Sequence, residues 1–123
     1  MDRKRILIVE DEGVQAMNTK LTLLRMGYEV LPIAISAKSA VDLARKHEPD
    51  LILMDIRLRG KMDGIEAARM IKKDISVPVI FITAYADENT IMRAQGTGPA
   101  AFLEKPVDES VLGMRIKEAL KGA

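Results

Sequence analysis

The apolar positions of this chain fall into short continuous runs, separated by longer stretches in which apolar residues return every three or four positions. The first run, Ile6 to Val9, lies in a strand predicted over Lys4 to Glu10; its lack of alternation suits a strand buried on both faces. A helix is predicted from Gly13 to Met26, closed by Gly27, where a left-handed backbone meets no Cβ clash. A second strand is expected over Tyr28 to Ile35, followed by a helix from the N-cap Ser36 to His47. Pro49 stops that helix, because the residue before proline avoids the α region. Leu51 to Asp55 reads as a third strand and Gly64 to Lys73 as a helix. Pro78 opens a fourth strand running to Thr83, and Asp87 caps a short helix that Gly96, Gly98 and Pro99 end. Ala101 to Glu104 is the last strand, and Asp108 caps a final helix to Lys121. Strand-length runs alternating with helices are the pattern of βα units, so the fold class expected is α/β, a doubly wound, five-stranded parallel sheet. No repeat, linker or low-complexity segment interrupts it.

Length and charge narrow the function classes. A chain of 123 residues buries one substantial core, so residues 1–123 are expected to form a single domain. Nineteen basic side chains against 18 acidic ones produce no overall field toward nucleic acid or an anionic membrane, and no direct binding to either is expected. The absence of cysteine excludes disulfides and thiolate metal sites. Met1 to Arg5 is charged, and Ile6 to Val9 is too short for a signal peptide or membrane span, so a cytoplasmic location is expected.

The chemistry gathers at the strand ends. The first strand runs into Glu10 and Asp11, the third into Asp55, the fourth into Thr83, and the fifth leads past Glu104 to Lys105 and Pro106. If these strands lie parallel in one sheet, their carboxyl ends share the edge where open α/β sheets place ligands. Three crowded carboxylates are costly unless a cation intervenes, and Mg²⁺ suits oxygen donors of this kind. A hydroxyl and an ammonium opposite them supply what a phosphoryl oxygen needs. Taken singly, each residue has an ordinary explanation: acids cap helices, threonine is common in strands, and lysine is usually solvated.

Together, Glu10 and Asp11, Asp55, Thr83 with Ala84, Lys105 with Pro106, and the stretch from Met54 to Asp63, Gly64 and Ile65 resemble the receiver domain of two-component response regulators. The likeness runs from Lys4 to Leu120. It implies a (βα)5 flavodoxin-like three-layer sandwich, and a signalling domain that is not an enzyme beyond assisting its own phosphorylation and dephosphorylation. Asp55 would be the phosphoacceptor for a sensor histidine kinase, and Asp11, Asp55 and the Arg57 backbone carbonyl would ligate Mg²⁺ or Mn²⁺, with Glu10 acting through water. Lys105 and Thr83 would contact the phosphoryl oxygens. Thr83 and Phe102 would form the conformational switch, and the Arg57 and Tyr85 side chains would tune the phosphoryl lifetime. The loop from Leu58 to Met62 departs from the family's commonest form: it has no proline and is one residue longer.

The first helix carries two apolar stripes. Val14, Met17, Leu21 and Leu24 share one, while Ala16, Leu23 and Met26 share a roughly opposite one. By comparison with the family, the second stripe is expected to be buried, leaving Met17, Leu21 and Leu24 for docking onto the kinase. The resemblance names no output partner, and it leaves open a phosphorylation-dependent homodimer through the fourth helix and last strand. Two other classes compete. An aspartyl phosphatase of the haloacid dehalogenase kind also combines Asp, Thr, Lys and Mg²⁺, but its second Asp would fall at Arg57. A flavodoxin-like FMN module needs a hydroxyl- and glycine-rich phosphate loop where Glu10, Asp11 and Glu12 stand.

Overall fold

The computed structural model describes residues 2–122. Five strands, β1 (Arg5–Val9), β2 (Glu29–Val30), β3 (Leu51–Met54), β4 (Val79–Thr83) and β5 (Ala101–Glu104), alternate with five helices, α1 (Gly13–Arg25), α2 (Ala37–His47), α3 (Gly64–Asp74), α4 (Glu88–Gln95) and α5 (Glu109–Gly122). The strands form one parallel sheet in the order β2-β1-β3-β4-β5.

Because side chains alternate across a strand, each central strand feeds both faces of the sheet. Leu7, Val9, Ile52, Met54 and Phe81 pack with α2, α3 and Ala94 of α4. Ile6, Ile8, Leu51, Leu53 and Ile80 pack with Leu23 of α1 and Leu112 and Ile116 of α5. The result is a three-layer sandwich.

The helices start where side chains can satisfy free backbone N–H groups. Ser36 and Ser39 form a reciprocal capping box on α2, and Asp63 and Glu66 form another on α3. Asp87 accepts from the Thr90 N–H at the start of α4, and Asp108 from Ser110 and Val111 at the start of α5.

The second strand is shorter than the Tyr28 to Ile35 expected. Its ladder begins with Glu29 N–H to Lys4 and Leu31 N–H to Ile6, then resumes three residues later with Ala34 N–H to Ile8. Three residues of this strand advance against two of β1 between these last two bonds, a one-residue bulge at Pro32 and Ile33, so regular pairing ends at Val30 and only an isolated bridge joins Val9 to Ala34. At the third strand Asp55 lies one residue past the assigned end, which places its side chain at the carboxyl edge of the sheet.

Candidate functional site

The sheet order puts β1 beside β3, with Val9 paired to Met54, so Glu10 and Asp55 emerge from adjacent strand ends. This is also where successive connections leave in opposite directions along the sheet, the crevice in which doubly wound folds bind ligands. Carboxylate oxygens of Glu10, Asp11 and Asp55 lie within 4.8 Å of one another. The set is all oxygen and triply anionic when ionised, which suits a hard divalent cation. Lys105, carried in by β5, reaches the same point. Its Nζ donates to Glu10 Oε1 at 2.8 Å, to Asp55 Oδ2 at 3.0 Å and to Gln15 Oε1 at 2.6 Å.

Burial sets the electrostatics. Asp55 is only 9% exposed, and loss of hydration pushes its carboxyl up from 3.8 to about 6; the Glu10 charge pushes the same way, and Lys105 offsets only part of both. Burial alone would lower the Lys105 ammonium, but hydrogen bonds to Glu10 and Asp55 hold its pKa above the usual lysine value. A second cation in this cleft would therefore relieve an existing excess of negative charge.

A hollow of about 350 Å³ opens over these groups, walled by Asp11, Asp55, Arg57, Tyr85 and Lys105 among others. The Arg57 guanidinium lies 3.8 Å from the centre of the Tyr85 ring, a cation–π contact at the rim. Thr83 stands at the same sheet edge but is fully buried. Its hydroxyl oxygen accepts from the Tyr85 N–H at 3.1 Å, and its carbonyl from the Lys105 N–H at 2.8 Å. It does not line the hollow; its neighbours Ala84 and Tyr85 do. Phe102 is half-buried opposite Phe81, with ring centroids 6.5 Å apart.

Away from the cleft, α1 presents Met17, Leu21 and Leu24 at 50%, 47% and 43% exposure, while Ala16 and Leu23 are buried. Met26 packs half-buried onto the core beside Leu23. Of the two stripes, the one holding Met17, Leu21 and Leu24 is left uncovered by the fold.

Three further residues contact the site: Gln15 and Arg59, which carry no obvious signal in the sequence, and Gly64, which belongs to the Met54 to Ile65 stretch. Gln15 supplies the third acceptor for Lys105. The backbone N–H of Arg59 donates to Asp11 Oδ2 at 3.0 Å. Gly64 lies so close to the Asp55 carbonyl oxygen that a Cβ would sit 2.0 Å from it. Helical spacing places Gln15 on the cleft side of α1, but nothing in the sequence pairs it with residue 105.

The doubly wound sheet thus gathers three carboxylates that could hold a metal ion, and a lysine beside them, at its switch point. Residues 6–117 match the response regulator receiver domain, and this chain belongs to that family. It is therefore a signalling domain of the two-component kind. It is 37% identical over 109 residues to the transcriptional regulatory protein PdtaR of Mycobacterium tuberculosis, covering 89% of this chain and 53% of that protein. It is 36% identical to protein PilH of Pseudomonas aeruginosa, covering 96% of this chain and 98% of PilH. The chain thus spans about half the length of PdtaR and nearly all of PilH. Among solved structures, the CheY-like response regulator receiver domain protein of Methanospirillum hungatei JF-1 superposes with a TM-score of 0.91 at 33% identity, covering 98% of this chain and 96% of that one. Among the described residues, no helix is long and apolar enough to cross a membrane.

Proposed function

We propose that residues 1–123 act as one cytoplasmic receiver domain that takes a phosphoryl group from a sensor histidine kinase onto Asp55. The observation that carries this reading is Lys105 Nζ bridging Glu10 and Asp55 within a cluster of three carboxylates. In the transfer, an Asp55 carboxylate oxygen attacks phosphorus, the P–N bond to the donor histidine breaks, and its electron pair returns to the imidazole nitrogen. The product is an acyl phosphate on Asp55.

Asp11 and Asp55, with the Arg57 backbone carbonyl, would hold Mg²⁺, or Mn²⁺ in its place, and Glu10 would act through water; the ion neutralises the charge that gathers on the transferring group. Lys105, displaced from the carboxylates, turns its ammonium to a phosphoryl oxygen. The Thr83 hydroxyl already accepts from Tyr85, so its proton is free to be donated to another. Since Thr83 is buried beneath the hollow, reaching the phosphoryl requires a shift, and space vacated there would be filled by Phe102 turning inward. Such a shift biases a two-state surface toward an output partner through contacts made in one state only. The uncovered Met17, Leu21 and Leu24 stripe provides an apolar face for the kinase helices. The domain performs no turnover chemistry on other molecules in this reading, and whether phosphorylation drives a homodimer is a matter for its output.

Incubation with acetyl phosphate and Mg²⁺, followed by intact mass, tests the central claim. One added phosphoryl on the wild type and none on Asp55→Asn is the expected result. Unmodified wild type, or modification that survives in Asp55→Asn, removes Asp55 as the acceptor. Sustained release of phosphate at high turnover would instead favour a phosphatase.

The rim pair supplies a second expectation. Arg57 and Tyr85 stack at the rim of the hollow that also holds Asp55, where their side chains would limit the approach of a hydrolytic water. Arg57→Ala and Tyr85→Ala are each expected to change the decay rate of the phosphorylated form several-fold, about 0.5–1 kcal/mol at an exposed cation–π contact. Identical decay in both variants and the wild type would assign the pair a solvated rim position with no influence on lifetime.

A further inference from the structure

The geometry points to Arg59 as a positioning residue for the cation site, its backbone N–H fixing the Asp11 carboxylate so that the loop after Asp55 sets divalent-cation affinity. The inference rests on the reading above, in which Asp11 is a ligand.

Two contacts from Arg59 converge on one oxygen. The N–H donates to Asp11 Oδ2 at 3.0 Å, and the guanidinium Nε lies 3.8 Å from the same atom. They differ in worth. The side chain of Arg59 is 80% exposed, so its ion pair is long, hydrated and easily screened. The N–H is held by the backbone and meets a carboxylate that is only 13% exposed, the stronger kind of hydrogen bond.

The loop is shaped to present that N–H. Gly60, next in the chain, takes φ +106°, a conformation that other residues adopt only with strain. At the far end of the loop Asp63 caps α3 and also accepts from Arg93 of α4 at 2.9 Å, so both ends are anchored. A proline in place of Arg59 would have no N–H to donate. The lack of proline between Leu58 and Met62 is therefore not a neutral departure: it makes the bond to Asp11 available.

Groups that orient a metal ligand from behind commonly matter nearly as much as the ligand itself. With one oxygen of Asp11 tied to the loop, turning the carboxylate away from Glu10 and Asp55 would break that hydrogen bond. By reciprocity, a cation drawn to Asp11 also stabilises this loop conformation.

Calorimetric titration of Mg²⁺ into the wild type, Arg59→Ala and Arg59→Pro separates the two contacts. Arg59→Ala keeps the N–H and loses a competing cation; its affinity is expected to stay within about threefold of the wild type, on the tighter side. Arg59→Pro loses the N–H and is expected to bind about tenfold more weakly. Amide spectra of ¹⁵N-labelled wild type and Asp11→Ala provide a measurement that needs no proline: the Arg59 amide proton is expected to move upfield when its acceptor is removed. Equal affinities in Arg59→Pro and Arg59→Ala, or an Arg59 amide unmoved in Asp11→Ala, overturn the inference. If Arg59→Pro fails to fold, the amide spectra decide alone. Wild type that takes up no Mg²⁺ defeats the cation reading of Glu10, Asp11 and Asp55, and this inference with it; wild type that binds while the Arg59 results fail defeats only this one.

Discussion

Without metal at pH 7.5, Asp55→Asn is expected to resist urea better than the wild type, by about 1–3 kcal/mol. The cause is the cost of ionising a carboxyl that burial and Glu10 both disfavour, which raises it from 3.8 to about 6. Below pH 3.8 the proton is held in both folded and unfolded chains, and Asp55 contributes nothing to the pH dependence. Between 3.8 and about 6 the unfolded chain has lost a proton that the folded protein still binds, so stability falls as pH rises through this window. Above about 6 the full penalty is present, at most about 3 kcal/mol for a shift of roughly two units. Asn avoids it. The attraction of Lys105 is already contained in that net shift, so the gain is reduced only as far as the Asn amide fits Lys105 and Glu10 less well than a protonated carboxyl does.

Mg²⁺ should close part of this gap. At about ten times its dissociation constant a ligand that binds only the folded state adds about 1.4 kcal/mol, and the wild type should gain this while Asp55→Asn gains less. Urea midpoints at pH 5 and 7.5, with chelator and with Mg²⁺, read all of this together. A variant less stable than the wild type in chelator at pH 7.5, or an advantage that grows on adding Mg²⁺, would show that Lys105 rather than desolvation governs Asp55.

The edge of the sheet was legible because four apolar runs each stop at a polar group, and a short run without alternation suits a strand covered on both faces. Which strands are neighbours was not, since pairing order depends on crossovers that no local pattern encodes. The site nevertheless depends on it: Glu10 and Asp55 meet because β1 lies against β3. The second strand misled for a local reason, as its hydrophobic residues run on from Tyr28 to Ile35 while its register against β1 slips by one residue between Leu31 and Ala34. On α1, two apolar stripes compete, and helical periodicity alone cannot choose between them; the packing leaves Met17, Leu21 and Leu24 outside. Gln15 and Arg59 escaped because their work is done by contacts 90 and 48 positions away in the chain. For Thr83 the residue type pointed to the cleft edge, yet the side chain is completely buried, so the proposed contact with a phosphoryl oxygen would require it to move.

Gly64→Ala is expected to be the most damaging single-methyl change in the domain. In an ordinary helix the substitution would help, since alanine is favoured over glycine by about 1 kcal/mol. Here the added Cβ would fall 2.0 Å from the Asp55 carbonyl oxygen, 2.9 Å from its carbon and 3.0 Å from the Ile56 Cα. All three are backbone atoms, so no side-chain rotation relieves the overlap. Retreat is blocked on both sides: the Gly64 N–H donates to the Ile56 carbonyl at 2.8 Å, Asp63 caps the helix, and Ile65, Ala68 and Ile71 bury α3 in the core. Either α3 lifts from the sheet or the backbone at Asp55 is pushed from its line, and a loss of about 3 kcal/mol or more is expected. Gly113→Ala in α5 provides the contrast. Its Cβ would lie 3.3 Å from the terminal methyl of Met26, the movable end of a flexible side chain, so the change should be near neutral or mildly stabilising. Urea midpoints of the two variants, with phosphoryl incorporation from acetyl phosphate as a second readout, test the close approach directly. If Gly64→Ala matches the wild type in stability and incorporation, α3 is not seated against the phosphoacceptor strand as closely as described. If it folds but incorporates phosphate slowly, the strand end has moved and taken Asp55 out of reach of Lys105.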